Sequence, residues 1–186
     1  MRTFLFRLIM IITVFTLPTA NARSAANGSF GLLLGAILPS GSNAAIATGV
    51  TLHYKFWGQR WRAGAFFRRY GVRLRTQASD TEVSASTTDN AFGGELVYFF
   101  DSSLEGFNAG VRTGISAVGI TAQVIESGTT TVDIDNKTSS LFFGPRIGYD
   151  HPIGRFSIGA ELSYTFSLGN SGANSADLLI PFRYWF

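Results

Sequence analysis

The feature that most constrains this chain is a two-residue period in its apolar side chains, and the pattern runs to the last residue. In the terminal segment Leu178, Ile180, Phe182, Tyr184 and Phe186 fall on one face, while Leu179, Pro181, Arg183 and Trp185 fall on the other. Successive side chains of a strand point to opposite sides, so this is a strand with two different environments. Seven earlier segments repeat the pattern. Near 29–38 the apolar set is Phe30, Leu32, Leu34, Ala36 and Leu38, and near 46–57 it is Ile46, Val50, Leu52, Tyr54 and Phe56. Segment 61–77 sets Val72 and Leu74 against Arg73 and Arg75; segment 90–100 sets Phe92, Leu96, Tyr98 and Phe100 against Glu95 and Val97. From 107, Val111, Thr113 and Ile115 oppose Arg112, Gly114 and Ser116. A sixth segment ending near Tyr149 sets Leu141, Phe143 and Ile147 against Arg146 and Gly148. From 156, Ile158, Ala160, Leu162, Tyr164 and Phe166 oppose Glu161, Ser163 and Thr165.

The sign of the alternation selects the solvent. A water-soluble barrel hides its bulky apolar residues and exposes its charges, whereas here the aromatic side is continuous and the opposite side carries Arg, Glu, Ser and Gly. Segments of about 10 residues suit tilted strands crossing a bilayer, and eight strands enclose a lumen that side chains can fill. The expected fold class is all-β: an eight-stranded antiparallel transmembrane β-barrel, preceded by a cleavable signal peptide. Phe at 17 copies and Gly at 21 favour strands and turns over helices.

Residues 1–22 carry Arg2 and Arg7, an apolar run from Leu8 to Leu17, and the small-residue site Ala20-Asn21-Ala22. That is the grammar of a secretory signal, and the run is half the roughly 20 residues a membrane helix needs. The expected organisation is a signal peptide at 1–22, a periplasmic lead at 23–27 and a barrel domain at 28–186. Without Arg2 and Arg7, 13 basic side chains face 12 acidic ones, so the charge offers nothing to a nucleic-acid backbone. The absence of cysteine removes disulfides and thiol chemistry. No cofactor is expected.

Connections after the second, fourth and sixth segments are short: Gly58 to Arg60, Asp101 to Gly106 and Asp150 to Arg155. The others run longer and more polar, apart from a short one near Pro39 to Ala45. Short turns belong to the periplasmic side, which predicts an outer-membrane location with both mature termini periplasmic. Alternation continues through Ile120 to Asp135 on either side of Ser127-Gly128, and Arg73 to Val83 does the same, so segments three to six are expected to project outward.

Strict alternation from Leu74 back through Tyr70 aims Arg68 at lipid, at a cost of about 2 to 4 kcal/mol. A bulge near Arg69 is expected to relieve it; the alternative leaves Arg68 facing lipid. Bulges are likewise expected at Pro145 and Pro181.

The inward residues Glu95, Arg112, Arg146, Glu161 and Arg183 lie close to the periplasmic ends of their strands and are expected to pair in one layer, because unpaired buried charge is costly. Arg69, Arg73, Arg75, His53 and Lys55 are read as further positive charge beside it. The layer either fills and rigidifies the barrel, which is the favoured reading, or gates a narrow ion-conducting pore. Enzyme chemistry is not expected: His53 lies inward near the periplasmic end and His151 in a turn, far from the outer-leaflet level of a lipid-modifying site. Asp133-Ile134-Asp135-Asn136 offers oxygens without the glycine and distant glutamate of a calcium loop, so no metal is assigned. Asp80, Glu82, Asp89, Glu126, Asp133, Asp135 and Asp177 are read as an acidic outer face.

On the signal segment, the eight alternating segments, the loop asymmetry and the terminal pattern, the chain resembles the small eight-stranded outer-membrane barrels related to the OmpA transmembrane domain and OmpX. The resemblance implies that Leu178, Ile180, Phe182, Tyr184 and Phe186 form the signal read by the barrel-assembly machinery, and that Glu95, Arg112, Arg146 and Glu161 belong to a lumenal Glu/Arg network. It implies outer-membrane lipid, lipopolysaccharide and a surface ligand as partners. The peptidoglycan-binding domain of longer relatives is not seen in the sequence. A structural or surface-interaction role is the expected function, with a narrow pore and a lipid-modifying enzyme as alternatives.

Overall fold

In the computed structural model, residues 26–40, 44–78, 81–126, 129–169 and 174–186 are described. The expected signal peptide at 1–22, and all but two residues of the expected lead, lie outside them. Eight strands follow one another as β1 (Gly28–Pro39), β2 (Ala45–Lys55), β3 (Trp61–Ala78), β4 (Thr81–Phe99), β5 (Gly106–Glu126), β6 (Thr129–Ile153), β7 (Phe156–Leu168) and β8 (Ser175–Trp185). Each pairs antiparallel with its sequence neighbours, and β1 pairs with β8 to close a barrel.

Lipid-type packing dictates the faces. Phe30, Leu32, Leu34, Ile180, Phe182 and their equivalents on the other strands point outward and are exposed, while Ser29, Thr51, Glu95, Arg112 and Glu161 point inward and are buried. The closing seam is tight: Phe186 N donates to Gly28 O at 3.0 Å, and Phe186 O accepts from Asn27 N at 2.9 Å. A Cβ on Gly28 would lie 2.9 Å from the Phe186 ring, so the seam needs glycine there. At the same end Leu104 takes a left-handed φ of 62°, which turns its side chain under the barrel mouth against Ala26, Val97, Phe99 and Trp185.

β3 to β6 contain 18, 19, 21 and 25 residues against 11 to 13 for the rest, so these four run on beyond the ring as a projecting sheet. Their outward apolar belt ends on one register row, Phe67, Phe92, Ile115 and Leu141. The next outward rows are polar: Arg69, Asn90, Ala117 and Ser139; then Gly71, Thr88, Gly119 and Lys137; then Arg73, Ser86, Thr121 and Asp135. On the inner face of the same extension the row Val72, Thr87, Ile120 and Asn136 is mixed, and above it the rows are mostly apolar, with Leu74, Ala85, Ala122 and Ile134 followed by Thr76, Val83, Val124 and Val132.

This inversion corrects the reading of β3. No bulge occurs near Arg69: the register of β3 with β2 and with β4 runs unbroken through it. Arg68 points into the lumen and is buried, while Arg69, Arg73 and Arg75 point outward and are exposed. The error came from taking Leu74 as lipid-facing, when it lies on the inner face of the projection. Pro145 and Pro181 also sit without bulges. Each interrupts the ladder to β7, and the register resumes unchanged on the far side. The described irregularity lies instead between Val124 and Ile125, near the tip of the β5–β6 hairpin.

Candidate functional site

Alternation brings one charged residue inward from each of five consecutive strands: Glu95 of β4, Arg112 of β5, Arg146 of β6, Glu161 of β7 and Arg183 of β8. Arg112 Nε and Arg146 Nη1 both donate to Glu95 Oε2 at 2.9 Å. Arg146 Nη2 lies 2.9 Å from Glu161 Oε2, and Arg112 Nη1 pairs with Glu161 Oε1. Arg183 Nη2 donates to Glu161 Oε2 at 3.4 Å and pairs through Nη1 with Asp150. Asn108 joins the layer, accepting from Arg146 at 2.9 Å and donating to Asp150 at 2.9 Å. The structure therefore links the five expected lumenal residues in one network, with Arg183 joined through Glu161, and adds Asp150, which sequence spacing had assigned to a turn. Its signal was available, since Asp150 keeps the even phase of Arg146 and Gly148.

His53 completes the layer on β2, with Nε2 2.7 Å from Glu95 Oε1 and Nδ1 3.3 Å from Ser29 Oγ. Ser29, His53 and Glu95 thus line up in the order of a hydrolase triad. The Ser29 hydroxyl is fully buried, Glu95 is already held by two guanidinium groups, and the Leu104–Trp185 cluster covers this end. Lys55, the other basic residue of β2, is exposed at the mouth. Arg62 fills the mouth itself, donating to the carbonyls of Gln59, Trp61 and Ala26.

A second charged layer was not expected. Arg68 pairs with Asp177 and lies 4.0 Å from Asp89, Ser116 Oγ donates to Asp89 at 2.6 Å, and Ser163 Oγ donates to Asp177 at 3.0 Å. Asp89 and Asp177 are therefore lumenal and buried, which corrects their assignment to the outer face. Asp177 shares the phase of Leu179 and Arg183, and Asp89 that of Ala91 and Glu95, so strand phase was the signal that placed them.

Between the layers sit Phe66, Ala91 and Phe142, with the Phe66 and Phe142 rings 5.9 Å apart and Arg112 stacked 4.9 Å from the Phe66 centroid. Leu33, Ile37, Tyr70 and Leu179 pack around the second layer. Among the described residues, five buried arginines (Arg62, Arg68, Arg112, Arg146, Arg183) balance five buried carboxylates (Asp89, Glu95, Asp150, Glu161, Asp177). Such an arrangement can cross-link strands.

On the projecting sheet, Asp133 and Asp135 face outward, where Asp133 accepts from Gln123 at 3.3 Å and Asp135 lies 3.6 Å from Lys137. Arg75 pairs with Glu82 at 2.8 Å across the β3–β4 hairpin.

No family model and no curated protein matches this sequence. Solved structures match the fold. Ail, the attachment invasion locus protein of Yersinia pestis, solved in complex with the heparin analogue sucrose octasulfate, is 13% identical over 86% of this chain and 96% of that chain, with a TM-score of 0.56. Neisserial surface protein A is 16% identical, again over 86% and 96%, with a TM-score of 0.51. With eight antiparallel strands in a closed ring, the chain has the fold of the small eight-stranded outer-membrane β-barrels.

Proposed function

We propose that this chain is a non-enzymatic outer-membrane barrel whose lumen is structural and whose projecting β3–β6 sheet is the working surface, with both mature termini periplasmic. The observation that carries the reading is the contrast between a filled interior and an unfilled projection. Inside, charge, aromatic and aliphatic layers close the lumen in succession. Above the belt, Leu74, Val83, Ile120, Val132 and Ile134 stay between 42% and 57% exposed on the inner face. Water-facing apolar side chains in such number mark a surface built to be covered. Under this reading outer-leaflet lipid surrounds the belt, a surface ligand meets the sheet, and the strand ending in Leu178, Ile180, Phe182, Tyr184 and Phe186 is the segment the assembly machinery receives.

The buried Ser29 supports the non-enzymatic part of the reading, since a nucleophile needs a path for its substrate. The pore alternative rests on the same lumenal charges and makes a distinct demand: the pairs must exchange to let ions through. Single-channel recording on the purified barrel in a planar bilayer decides between them. Silence across the voltage range is expected; steady conductance that rises in Glu161→Ala overturns the structural reading. Deleting residues 127–131 is expected to leave folding intact while abolishing surface binding.

A further inference from the structure

At the end of the barrel where β1 begins and β8 stops, the side chain of Leu104 sits across the mouth. Residues 100–105 link β4 to β5; Asp101 and Ser102 are exposed, while Leu104 is fully buried. Leu104 packs against Ala26, Val97, Phe99 and Trp185, so it touches the segment entering β1, strand β4 and the last strand at once. Its φ of 62° makes it the one non-glycine residue with a left-handed backbone among the described residues. Residues with a Cβ rarely adopt that conformation, because the Cβ crowds the following carbonyl. The turn that imposes it is tied to itself: Leu104 N donates to Asp101 O at 3.2 Å, and Asp101 Oδ1 accepts from Ser103 N and Ser103 Oγ, both at 2.8 Å. At the same mouth Arg62 is fully buried and has no carboxylate partner among the described residues; it donates to the carbonyls of Gln59, Trp61 and Ala26. Closing the mouth therefore sets a strained backbone and a desolvated cation against the burial of a small apolar cluster.

We infer that the β4–β5 turn is a strained latch with two positions. With Leu104 seated the mouth is shut. With Leu104 turned out its backbone relaxes, and water and small solutes reach Arg62, Ser29 and the first charged layer. Ser29 stands opposite Trp185 in the register of β1 with β8, beside the seat of Leu104. The second charged layer, around Arg68, Asp89 and Asp177, stays closed off by Phe66, Ala91 and Phe142 in both positions. The barrel thus opens at one end by local release of the turn, without loss of the ring.

The test uses the full-length barrel folded in detergent micelles and a small neutral thiol reagent, methyl methanethiosulfonate, with labelling rates read from the mass of the intact protein. The chain lacks cysteine, so Ser29→Cys reports on the layer beside the latch and Ser163→Cys, equally conservative, on the second layer. Position 29 is expected to label at least about tenfold faster than position 163, because a local opening is commoner than global unfolding. Equal rates, or faster labelling at position 163, overturn the latch. In the Ser29→Cys background, Leu104→Ala and Leu104→Gly both empty the seat, but alanine keeps the strained backbone and glycine relaxes it. Alanine is therefore expected to label faster than glycine by about fivefold, although it removes fewer atoms. A plain plug without strain gives the reverse order, and that order overturns the strained latch. Leu104→Asn, which tolerates the left-handed turn and carries a polar side chain, is expected to speed labelling at position 29 and leave position 163 unchanged. Folding of every variant is checked by circular dichroism, and unchanged labelling at position 29 in folded Leu104→Asn overturns the proposal.

Discussion

The lower and upper halves of β3 to β6 are built from the same four strands with the same register, yet their apolar faces are opposite. Below the row Phe67, Phe92, Ile115 and Leu141 the outward side is apolar and the inward side charged; above it the outward side carries Arg73, Ser86, Thr121 and Asp135 and the inward side Leu74, Ala85, Ala122 and Ile134. Both halves form strands, so strand formation is not what sets the pattern. What changes is the medium outside the wall. Lipid demands apolar atoms and leaves the polar ones to pair in the lumen; water reverses the demand, and without a ring to close it the inner face stays uncovered. The lower half spends its charges on cross-linking and the upper half leaves its surface available.

The comparison breaks most visibly if lumenal charges prove dispensable. Glu161→Ala strips the carboxylate shared by Arg112, Arg146 and Arg183, leaving buried cations without their counter-charge. A loss of about 3 to 5 kcal/mol is expected, measured by urea unfolding of the barrel in vesicles. A loss below about 1 kcal/mol would mean water reaches this layer and the lumen is not sealed. Next in size is a paired test on one face of β5. Val111→Arg places a guanidinium in the belt and is expected to cost about 2 to 4 kcal/mol, whereas Thr121→Arg, on the same face above the belt, is expected to cost nothing measurable. Equal costs would show that the belt does not end at Ile115.

How far this was legible in the sequence follows the same divide. Leu178 to Phe186 could be phased by inspection because lipid surrounds all of β8, and Glu95, Arg112, Arg146, Glu161 and Arg183 followed from that phase. Arg68 was misplaced because Leu74, apolar and nearby, was assumed to share the lipid environment of Phe67. A change of medium partway along a strand flips the meaning of an apolar residue, and nothing local in the sequence marks the crossing. Asp89 and Asp177 went astray for a related reason: their acidity was read as outer-surface polarity while their strand phase pointed inward. The pairing of Arg68 with Asp177 spans 109 residues and depends on how the ring closes, which alternation within single strands does not encode. The Ser29, His53 and Glu95 alignment was hidden likewise, since it joins three strands.

A smaller effect separates the halves by backbone approach. Gly93 and Gly114 face each other across β4 and β5 below the belt's edge, and a Cβ on Gly93 would fall within 2.0 Å of Thr113 O. Gly93→Ala is expected to cost about 1 to 3 kcal/mol in the same unfolding assay. Gly119→Ala lies on the projection, where the nearest atom to an added Cβ is the Thr88 hydroxyl at 3.2 Å, which can rotate aside, so it is expected to unfold like wild type.

The smallest effect is expected from the ion pair on the projection. Glu82 and Arg75 make the same kind of contact as Glu95 and Arg112, at 2.8 Å against 2.9 Å, so distance alone would rank them equal. Their surroundings differ: the Arg75 side chain is 66% exposed and the Arg112 side chain 5%. In water, solvent replaces most of what the partner provides, and dissolved salt screens the remainder. Glu82→Ala is therefore expected to leave the unfolding midpoint unchanged within error at physiological salt, and Glu95→Ala to lower it sharply at any salt concentration. If removing Glu82 destabilised the barrel as strongly as removing Glu95, the projecting sheet would have to be a covered, desolvated structure, and the contrast between a sealed lumen and an open surface would fall.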